Sequence, residues 1–315
     1  MQHRVRIFSG SSNPLLAESI CEMLGVELGS VTLSRFKSGE IYVNYEESIR
    51  NCDVFIVQSL SHPINELFVE LLVMIDAAKR ASARTINIVM PYYGYARQER
   101  KSAPREPISA KMVADVLTTA GASRVITIDL HAPAIQGFFN IPVDHLTALD
   151  LISEHLKALN LPNPVIVSPD AGRAKTAEKL ANHLDSPFAI MFKKRPAHNE
   201  SVVTHVIGDV QGRTPIIIED IIDTGNTIVN VVESLKERGA SPAIICATHG
   251  LFSGDGMRRM EHPHIRNVIV TDSVAIQGQP PEWLKVLSVA PILATAVRII
   301  LEGGSLANLF KDAGV

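Results

Sequence analysis

Cysteine, long apolar runs and excess charge of either sign are all scarce in this sequence, and each scarcity excludes a class of protein. The three cysteines, Cys21, Cys52 and Cys246, are an odd number without C-x-x-C spacing, which argues against a disulfide framework and a zinc knuckle. A formal net charge of −3 lacks the basic excess of a nucleic-acid-binding protein. No apolar run approaches the roughly 18 residues that span a bilayer, and the start "MQHRVRIFSG" lacks a signal-peptide core. We therefore expect a cytoplasmic protein with core thiols that binds neither nucleic acid nor membranes.

Several nucleotide-binding and hydrolase motifs are also missing. The sequence contains no G-x-x-x-x-G-K-[ST] loop and no G-x-G-x-x-G fingerprint. It contains no G-x-S-x-G elbow and no H-E-x-x-H helix. Any ATP site in this chain must therefore be built without a P-loop.

The pattern of apolar residues predicts an α/β fold. At 315 residues, with 46% hydrophobic and 20% charged residues, the chain suits two globular domains of roughly 150 residues each. Short β-branched runs alternate with segments of helical period, which is typical of parallel sheets flanked by helices. We predict two such domains in tandem, joined near residues 138–150. The predicted strands are 53–59, 85–93, 124–130, 163–169, 188–192, 214–220 and 243–250, and the predicted helices are 65–81, 108–121, 174–184 and 227–239.

The stretch "IIIEDIIDTGNT" at 216–227 is the most specific candidate site. Ligands of open parallel sheets bind beyond the carboxyl ends of the strands, where this buried run turns polar. The loop from Asp223 to Thr227 leads into a helix, whose backbone N–H groups can bind a phosphate. Glu219 and Asp220 can accept hydrogen bonds from sugar hydroxyls. The plain alternative is a helix N-cap beside two solvated acids; we interpret the stretch as a phosphate and sugar site.

Acid-acid-x-x-D-T-G-x-T after an apolar strand resembles the phosphoribosyl-diphosphate-binding motif of type I phosphoribosyltransferases and of ribose-phosphate diphosphokinases. The motif alone does not choose between these relatives. Other segments resemble class I ribose-phosphate diphosphokinases (phosphoribosyl diphosphate synthases) in order and spacing, over essentially the whole chain. These segments are "RFKSGE" (35–40), "YYGYARQER" (92–100), "TIDLHAPAIQGFF" (127–139), "VSPDAG" (167–172), "KKRPAHN" (193–199) and "GGSLANLF" (303–310).

The resemblance implies two tandem type I phosphoribosyltransferase-like domains. The first, 1–145, would bind ATP and the second, 146–300, ribose 5-phosphate, with 301–315 packing back on the first. The implied reaction transfers the β,γ-diphosphoryl group of ATP to the C1 hydroxyl of ribose 5-phosphate, for nucleotide and histidine biosynthesis. The family uses Mg²⁺, responds to inorganic phosphate as an activator, and forms hexamers of dimers in which a neighbouring subunit completes the nucleotide site.

The resemblance also implies a role for individual residues. Lys193 and Arg195 match catalytic cations that close over the triphosphate, although a basic run alone would suggest only a solvated surface. His131 and Asp170 match metal-contacting positions, and Asp170 suits Mg²⁺ better because this ion selects oxygen ligands. The implied ATP-binding residues are Phe36, Ser38, Glu40, Arg97 and Gln98. The implied ribose 5-phosphate-binding residues are Glu219, Asp220, Asp223, Thr224, Gly225, Asn226 and Thr227.

Some positions depart from the family pattern. Ser38 and Glu219 each stand where Asp is usual, and Asn226 stands where Gly is usual. Arg173 and Thr176 stand where Gly and Arg are common. Because these departures gather near the nucleotide, we expect an active enzyme with altered phosphate activation and ADP inhibition.

Two other functions remain open at this point. A nucleobase phosphoribosyltransferase shares the motif at 216–227, but it needs only one such domain and leaves "YYGYARQER" and "KKRPAHN" without a task. A non-catalytic regulatory subunit that resembles the synthase would be expected to lose the loop cations or the phosphate loop, and both are present.

Overall fold

The alternation of strands and helices that the sequence predicts is confirmed in the computed structural model, which describes residues 4–197 and 200–309; the side chains of 193–197, 200–204 and 308 lie outside this description. The first half contains β1 (Val5–Ser9), α1 (Pro14–Leu24), β2 (Val31–Arg35), β3 (Ile41–Tyr45), β4 (Asp53–Val57), α2 (Ile64–Arg80), β5 (Thr85–Val89), α3 (Ser109–Ala120), β6 (Arg124–Ile128) and β7 (Val143–Leu146). The second half contains α4 (Leu149–Ala158), β8 (Pro164–Ser168), α5 (Ala174–His183), β9 (Phe188–Ala197), β10 (Glu200–Ile207), β11 (Thr214–Ile222), α6 (Asn226–Glu237), β12 (Ala243–Gly250), α7 (Gly256–Arg259), β13 (Ile265–Thr271), β14 (Leu284–Leu287) and α8 (Ala290–Glu302).

Each half of the chain forms one mainly parallel sheet. The first sheet has the order β1-β4-β5-β6-β7 and all its pairs are parallel. The second has the order β10-β9-β8-β11-β12-β13-β14, in which only β9 and β10 pair antiparallel. Strands β2 and β3 form a separate antiparallel hairpin. The fold class is therefore as predicted, while the domain boundaries at 145 and 300 stay predictions.

The predicted loop after Phe192 was wrong. Strand β9 continues to Ala197, because β10 hydrogen-bonds alongside it and pairs Val203 with Lys193. Pro196 in this segment was read as a loop signal, but proline is tolerated in edge strands and at irregular pairings, and this ladder has two register shifts.

The isoleucines of β11 divide between two hydrophobic cores. Ile216 and Ile218 belong to a core shared by both halves of the chain, whereas Ile217 belongs to the core on the other face of its sheet. This alternation is the two-residue period of a strand that is buried on both faces. Asp220 continues the even-numbered face and therefore points toward the first half of the chain.

Four helices fill the space between the two sheets. α1, α4, α5 and α8 each contribute buried side chains to the shared core, among them Leu16, Ile152, Leu180 and Leu293. At its edge Arg298 of α8 donates to the Met23 carbonyl oxygen at 2.7 Å, which ties α8 to α1. The three cysteines are free and buried, as the composition predicts. Among the described residues, no helix combines the length and apolar character needed to cross a bilayer.

Buried polar groups hold the carboxyl ends of β6 and β12 together. Thr248 donates its hydroxyl hydrogen to Asp129 Oδ2 at 2.6 Å. His249 Nε2 lies 3.1 Å from the Ile128 carbonyl oxygen, and its Nδ1 lies 2.9 Å from Ser273 Oγ. A neutral imidazole satisfies both contacts with one donor and one acceptor nitrogen. These contacts fix where the loops after the two strands meet.

The burial of His249 predicts a pH-dependent stability. Burial lowers the pKa of His249, and the charges of Asp129 and Asp220 only partly offset it. Below pH ~6.5 the unfolded chain binds a proton at this residue and the folded chain does not, so stability is lost as the pH falls toward the folded pKa. We expect the free energy of unfolding to fall by about 1.4 kcal/mol per pH unit per histidine in this window.

Urea unfolding at pH 7.0 and 5.5 measures this effect, with His249→Gln as the comparison. The variant should show a shallower pH dependence than the wild-type protein. Burial also lowers the pKa of His145, so the double variant with His145→Gln should be shallower still. Parallel slopes for the wild type and His249→Gln would contradict the assignment.

Candidate functional site

A cleft of about 530 Å³ lies where the carboxyl ends of the two sheets meet. It follows β6, β8 and β11, which is where an open parallel sheet places its ligands. Its polar lining comes from both halves of the chain. The lining residues are Arg97, Glu99, Arg100, His131, Asp170, Gly172, Arg173, Glu219, Asp220, Ile221, Asp223, Thr224, Gly225, Thr227 and Ile228.

The loop between β11 and α6 presents the start of a helix to this cleft. Gly225 is the N-cap residue of α6 and has φ +79°, a left-handed conformation that favours glycine. In the described part of the chain, no side chain caps this helix. Its first backbone N–H groups can therefore serve an anion. Asn226 lies within α6 and not in the left-handed conformation, so its replacement of a glycine leaves the turn itself intact.

Helix α7 supports the loop from behind. Arg259 donates to the Thr224 carbonyl oxygen at 2.8 Å. Gly256 approaches the loop so closely that an added Cβ would lie 2.3 Å from the Asp223 carbonyl oxygen. Sequence reasoning missed both residues. The available signal was the segment "GDGMRRM", which places a glycine and two arginines soon after the end of β12.

The paired acids at the end of β11 are almost buried and bind cations of the protein itself. The Glu219 and Asp220 side chains are 12% and 7% exposed. His131 Nδ1 lies 2.6 Å from Asp220 Oδ2. Arg173 forms an ion pair with Asp220, and its Nε lies 3.8 Å from Glu219 Oε2. Burial raises the pKa of Asp220, but the hydrogen bond with His131 and the charge of Arg173 outweigh it and leave the pKa below its ordinary value.

The two predicted metal-contacting residues both line the cleft, but they do not form an enclosed metal site. Asp170 Oδ1 accepts a hydrogen bond from the Gly172 backbone N–H at 2.9 Å and so caps its own turn. His131 faces Asp220 instead. Over residues 4–197 and 200–309, no group of three or more His, Cys, Asp or Glu side chains is arranged to hold a metal ion. Their assignment as metal ligands stays a prediction.

The two predicted nucleotide residues in "YARQER" point to different places. Arg97 Nη2 lies 2.5 Å from Asp223 Oδ2 and thus reaches the loop before α6. Burial raises the pKa of Asp223, but hydrogen bonds from Ser253 and Arg97 lower it further, to below its ordinary value. Gln98 Oε1 accepts a hydrogen bond from Ser109 Oγ at 2.6 Å, so this side chain faces the start of α3 and does not line the cleft.

The three predicted ATP residues at 36–40 lie at the tip of the β2–β3 hairpin. The Phe36 side chain is 57% exposed and packs edge-on against Tyr42, with ring centroids 5.7 Å apart. Ser38 donates to Glu40 Oε2 at 2.5 Å. None of the three lines the cleft of its own chain as described. Their role in nucleotide binding stays a prediction.

The two predicted catalytic cations belong to β9. The backbone of Lys193 and Arg195 continues this strand, but their side chains lie outside the described residues. Arg173, by contrast, is fully described and was noted only as a departure from a family pattern. Its position three residues after Asp170, in a loop that follows a strand, was the signal that it could enter the cleft.

Comparison with known proteins identifies the family. Residues 5–121 match the N-terminal domain of ribose phosphate pyrophosphokinase, and residues 193–311 match the phosphoribosyl synthetase-associated domain. The chain is 50% identical over 314 residues to ribose-phosphate pyrophosphokinase from Bacillus caldolyticus, covering 98% of both chains. It is 49% identical over 308 residues to the Bacillus subtilis protein of the same name, covering 98% of this chain and 97% of the relative.

A solved structure agrees with these matches. Phosphoribosylpyrophosphate synthetase from Mycobacterium smegmatis superimposes with a TM-score of 0.90 at 42% identity, covering 96% of this chain and 100% of that one. The family matches, the full-length identity and the common fold all agree. The chain therefore belongs to the ribose-phosphate pyrophosphokinase family and is an ATP-dependent diphosphotransferase.

Proposed function

We propose that the chain transfers the β,γ-diphosphoryl group of ATP to the C1 hydroxyl of ribose 5-phosphate, releasing AMP. The observation that carries this assignment is the end of β11, where a buried carboxylate pair and an uncapped helix start share one cleft. A carboxylate pair suits the hydroxyls of a sugar, and a helix N-terminus suits a phosphate. Ribose 5-phosphate carries both groups.

The sugar phosphate would lie along the loop that joins β11 to α6. Glu219 and Asp220 would accept hydrogen bonds from the ribose hydroxyls. The residues from Asp223 to Thr227 would surround the 5-phosphate with backbone N–H groups and the hydroxyls of Thr224 and Thr227. This placement leaves the C1 hydroxyl directed toward Asp170 and His131, on the side from which the nucleotide would approach.

The cleft residues fit a Mg²⁺ ion that arrives with its own ligands. Asp170 offers a carboxylate and His131 an imidazole, which are too few donors for an ion that prefers six oxygens. Mg²⁺ bound to the triphosphate keeps phosphate and water ligands and needs only one or two from the protein. When bound, the ion would neutralise charge that develops on the transferring group. Asp170 and His131 would hold it beside the sugar.

The remaining predicted residues would act on ATP. Lys193 and Arg195 would stabilise the charge of the transferring diphosphoryl group, and Arg97 would pair with a phosphate once it leaves Asp223. The exposed ring of Phe36, with Ser38 and Glu40, would contact the adenine of a neighbouring subunit, which requires an oligomer such as a hexamer of dimers. The enzyme would work in the cytoplasm and supply nucleotide biosynthesis.

Gly256→Ala is expected to weaken ribose 5-phosphate binding without altering any group in the cleft. Because its Cβ would lie 2.3 Å from the Asp223 carbonyl oxygen, the loop must shift to relieve the clash. A shift that misplaces the phosphate contacts should raise KM for ribose 5-phosphate by about 10-fold or more, equivalent to ~1.4 kcal/mol. KM for ATP should change much less.

Gly137→Ala is the matched control for this change. A Cβ at Gly137 meets no atom within 4 Å, and its backbone is not left-handed. Steady-state kinetics should therefore give wild-type constants for this variant. Equal values of KM for ribose 5-phosphate in the two variants would remove α7 from the account.

AMP release is the assay that tests the proposed function. With ATP, ribose 5-phosphate and Mg²⁺, the purified protein should release AMP only when the sugar phosphate is present. Incubation with phosphoribosyl diphosphate and each common nucleobase should yield no nucleotide; formation of one would favour a phosphoribosyltransferase instead. Turnover absent from both assays would favour a regulatory subunit. Titrating inorganic phosphate and ADP into the first assay tests the expected change in regulation.

A further inference from the structure

Arg173 occupies the carboxylates that the proposed function assigns to the sugar. Its guanidinium pairs with Asp220, lies within 3.8 Å of Glu219 and donates to the His131 carbonyl oxygen at 3.4 Å. Its side chain is only 17% exposed. An arginine is seldom buried to this extent without partners for its charge. The contact is therefore a built part of the cleft and not a chance surface pair.

The turn that carries Arg173 also carries the candidate metal ligand. Residues Ala171–Arg173 form a single 3-10 turn, and Asp170 caps it through the Gly172 N–H. This turn presents Asp170 on one side of the cleft and the guanidinium on the other, against Glu219 and Asp220. The arginine thus stands between the place proposed for the metal and the place proposed for the sugar hydroxyls.

The local charge shows what the guanidinium does there. Two adjacent carboxylates, 12% and 7% exposed, place two negative charges at the end of one strand. Arg173 supplies one full positive charge against them, and His131 supplies a hydrogen bond. Removing one member of a buried ion pair leaves a charge that must find another partner. In a cleft open to solvent, the natural replacement is a divalent cation, since hard cations bind carboxylate oxygens.

We propose that Arg173 is a positioning residue that takes the place of a divalent cation against Glu219 and Asp220 in the ligand-free protein. The guanidinium keeps the carboxylates oriented and free of metal, so that the sugar hydroxyls meet them directly and the metal enters with the nucleotide at Asp170. This inference rests on the proposed function for its meaning, but its central claim concerns metal affinity alone.

Manganese binding to the ligand-free protein tests the inference without turnover. The electron paramagnetic resonance signal of free Mn²⁺ reports how much of the ion is bound, and no substrate is added. Arg173→Gln, which removes the charge and keeps most of the length, should bind Mn²⁺ at least about 10-fold more tightly than the wild type. Unchanged or weaker binding by this variant would overturn the proposal.

Three further variants separate charge from structure. Arg173→Lys keeps the positive charge and should bind Mn²⁺ within a few fold of the wild type; binding as tight as that of Arg173→Gln would contradict the charge argument. Lys175→Gln removes a neighbouring cation of α5 and should also behave as the wild type. The double variant Arg173→Gln with Glu219→Gln removes one charge of each sign and should lose the gain in affinity.

Thermal unfolding provides a second readout and checks folding. Mn²⁺ should raise the melting temperature of Arg173→Gln more than that of the wild type, because a ligand that binds only the native state stabilises it. Arg173→Met, which keeps the aliphatic stem, replaces the Gln variant should that one not fold. The readouts distinguish the two failures: tight Mn²⁺ binding without AMP release would refute the proposed function alone, and AMP release without a change in Mn²⁺ affinity would refute this inference alone.

Discussion

Asp220→Asn is expected to reduce kcat/KM for ribose 5-phosphate by about 10³-fold, because it removes a buried charged acceptor at the sugar subsite. Hydrogen bonds to charged groups contribute about 1.5 to 3 kcal/mol each, and breaking a buried ion pair costs about 3 to 5 kcal/mol. Asp220 makes both kinds of contact, with His131 and Arg173 in the ligand-free cleft and with ribose hydroxyls in the proposed complex. A loss of ~4 kcal/mol corresponds to the stated factor.

Asp209→Asn is the matched control for this substitution. Asp209 precedes β11 in the same half of the chain and its side chain is 71% exposed, with a single ion pair to Arg213. Exposed pairs of this kind contribute about 0 to 1 kcal/mol, so the control should keep wild-type kinetics. Steady-state constants for both variants, with melting temperatures to confirm folding, decide the matter. An Asp220→Asn enzyme with unchanged KM and kcat would place the sugar elsewhere.

Lys193→Ala is expected to reduce kcat by about 10³-fold or more, while ATP binding changes little. Removing a cation that stabilises a transferring phosphoryl group typically costs 10³- to 10⁵-fold in kcat. A cation that acts mainly on the transition state affects the rate and not ground-state affinity. Single-turnover rates, together with the dissociation constant for ATP, separate these two effects.

Lys194→Ala provides the neighbouring comparison. Both lysines belong to β9, and only Lys193 matches a catalytic cation in the family resemblance. We expect Lys194→Ala to stay within a few fold of the wild-type kcat. Equal losses in the two variants would mean that the segment contributes general positive charge, and no loss in either would remove β9 from the chemistry.

The sequence predicts this fold well where one short segment decides the structure. The Ile-rich strand 214–220 and the helix that follows it were predicted to within a few residues, because apolar periodicity and a glycine turn act locally. The family resemblance also located the cleft, since parallel strands bring their carboxyl ends to one edge of a sheet. Local pattern and chain order together were sufficient for these features.

Features that depend on distant partners were not predicted. The pairing of β10 with β9, which extends the strand through the basic segment, depends on residues that follow it. The approach of Arg173 to Asp220 joins residues 47 positions apart, as their numbering shows. The contact of Gly256 with the Asp223 carbonyl depends on where α7 packs. Residue type gives no direct information about such contacts.

The most direct test of the proposed reaction follows the γ-phosphorus of ATP. The protein is incubated with ribose 5-phosphate, Mg²⁺ and ATP labelled at the γ position, and the products are separated. Transfer of the β,γ-diphosphoryl group predicts that the label appears in phosphoribosyl diphosphate and that one AMP forms for each labelled product. Label in a ribose bisphosphate with release of ADP, or no labelled sugar at all, would contradict the account.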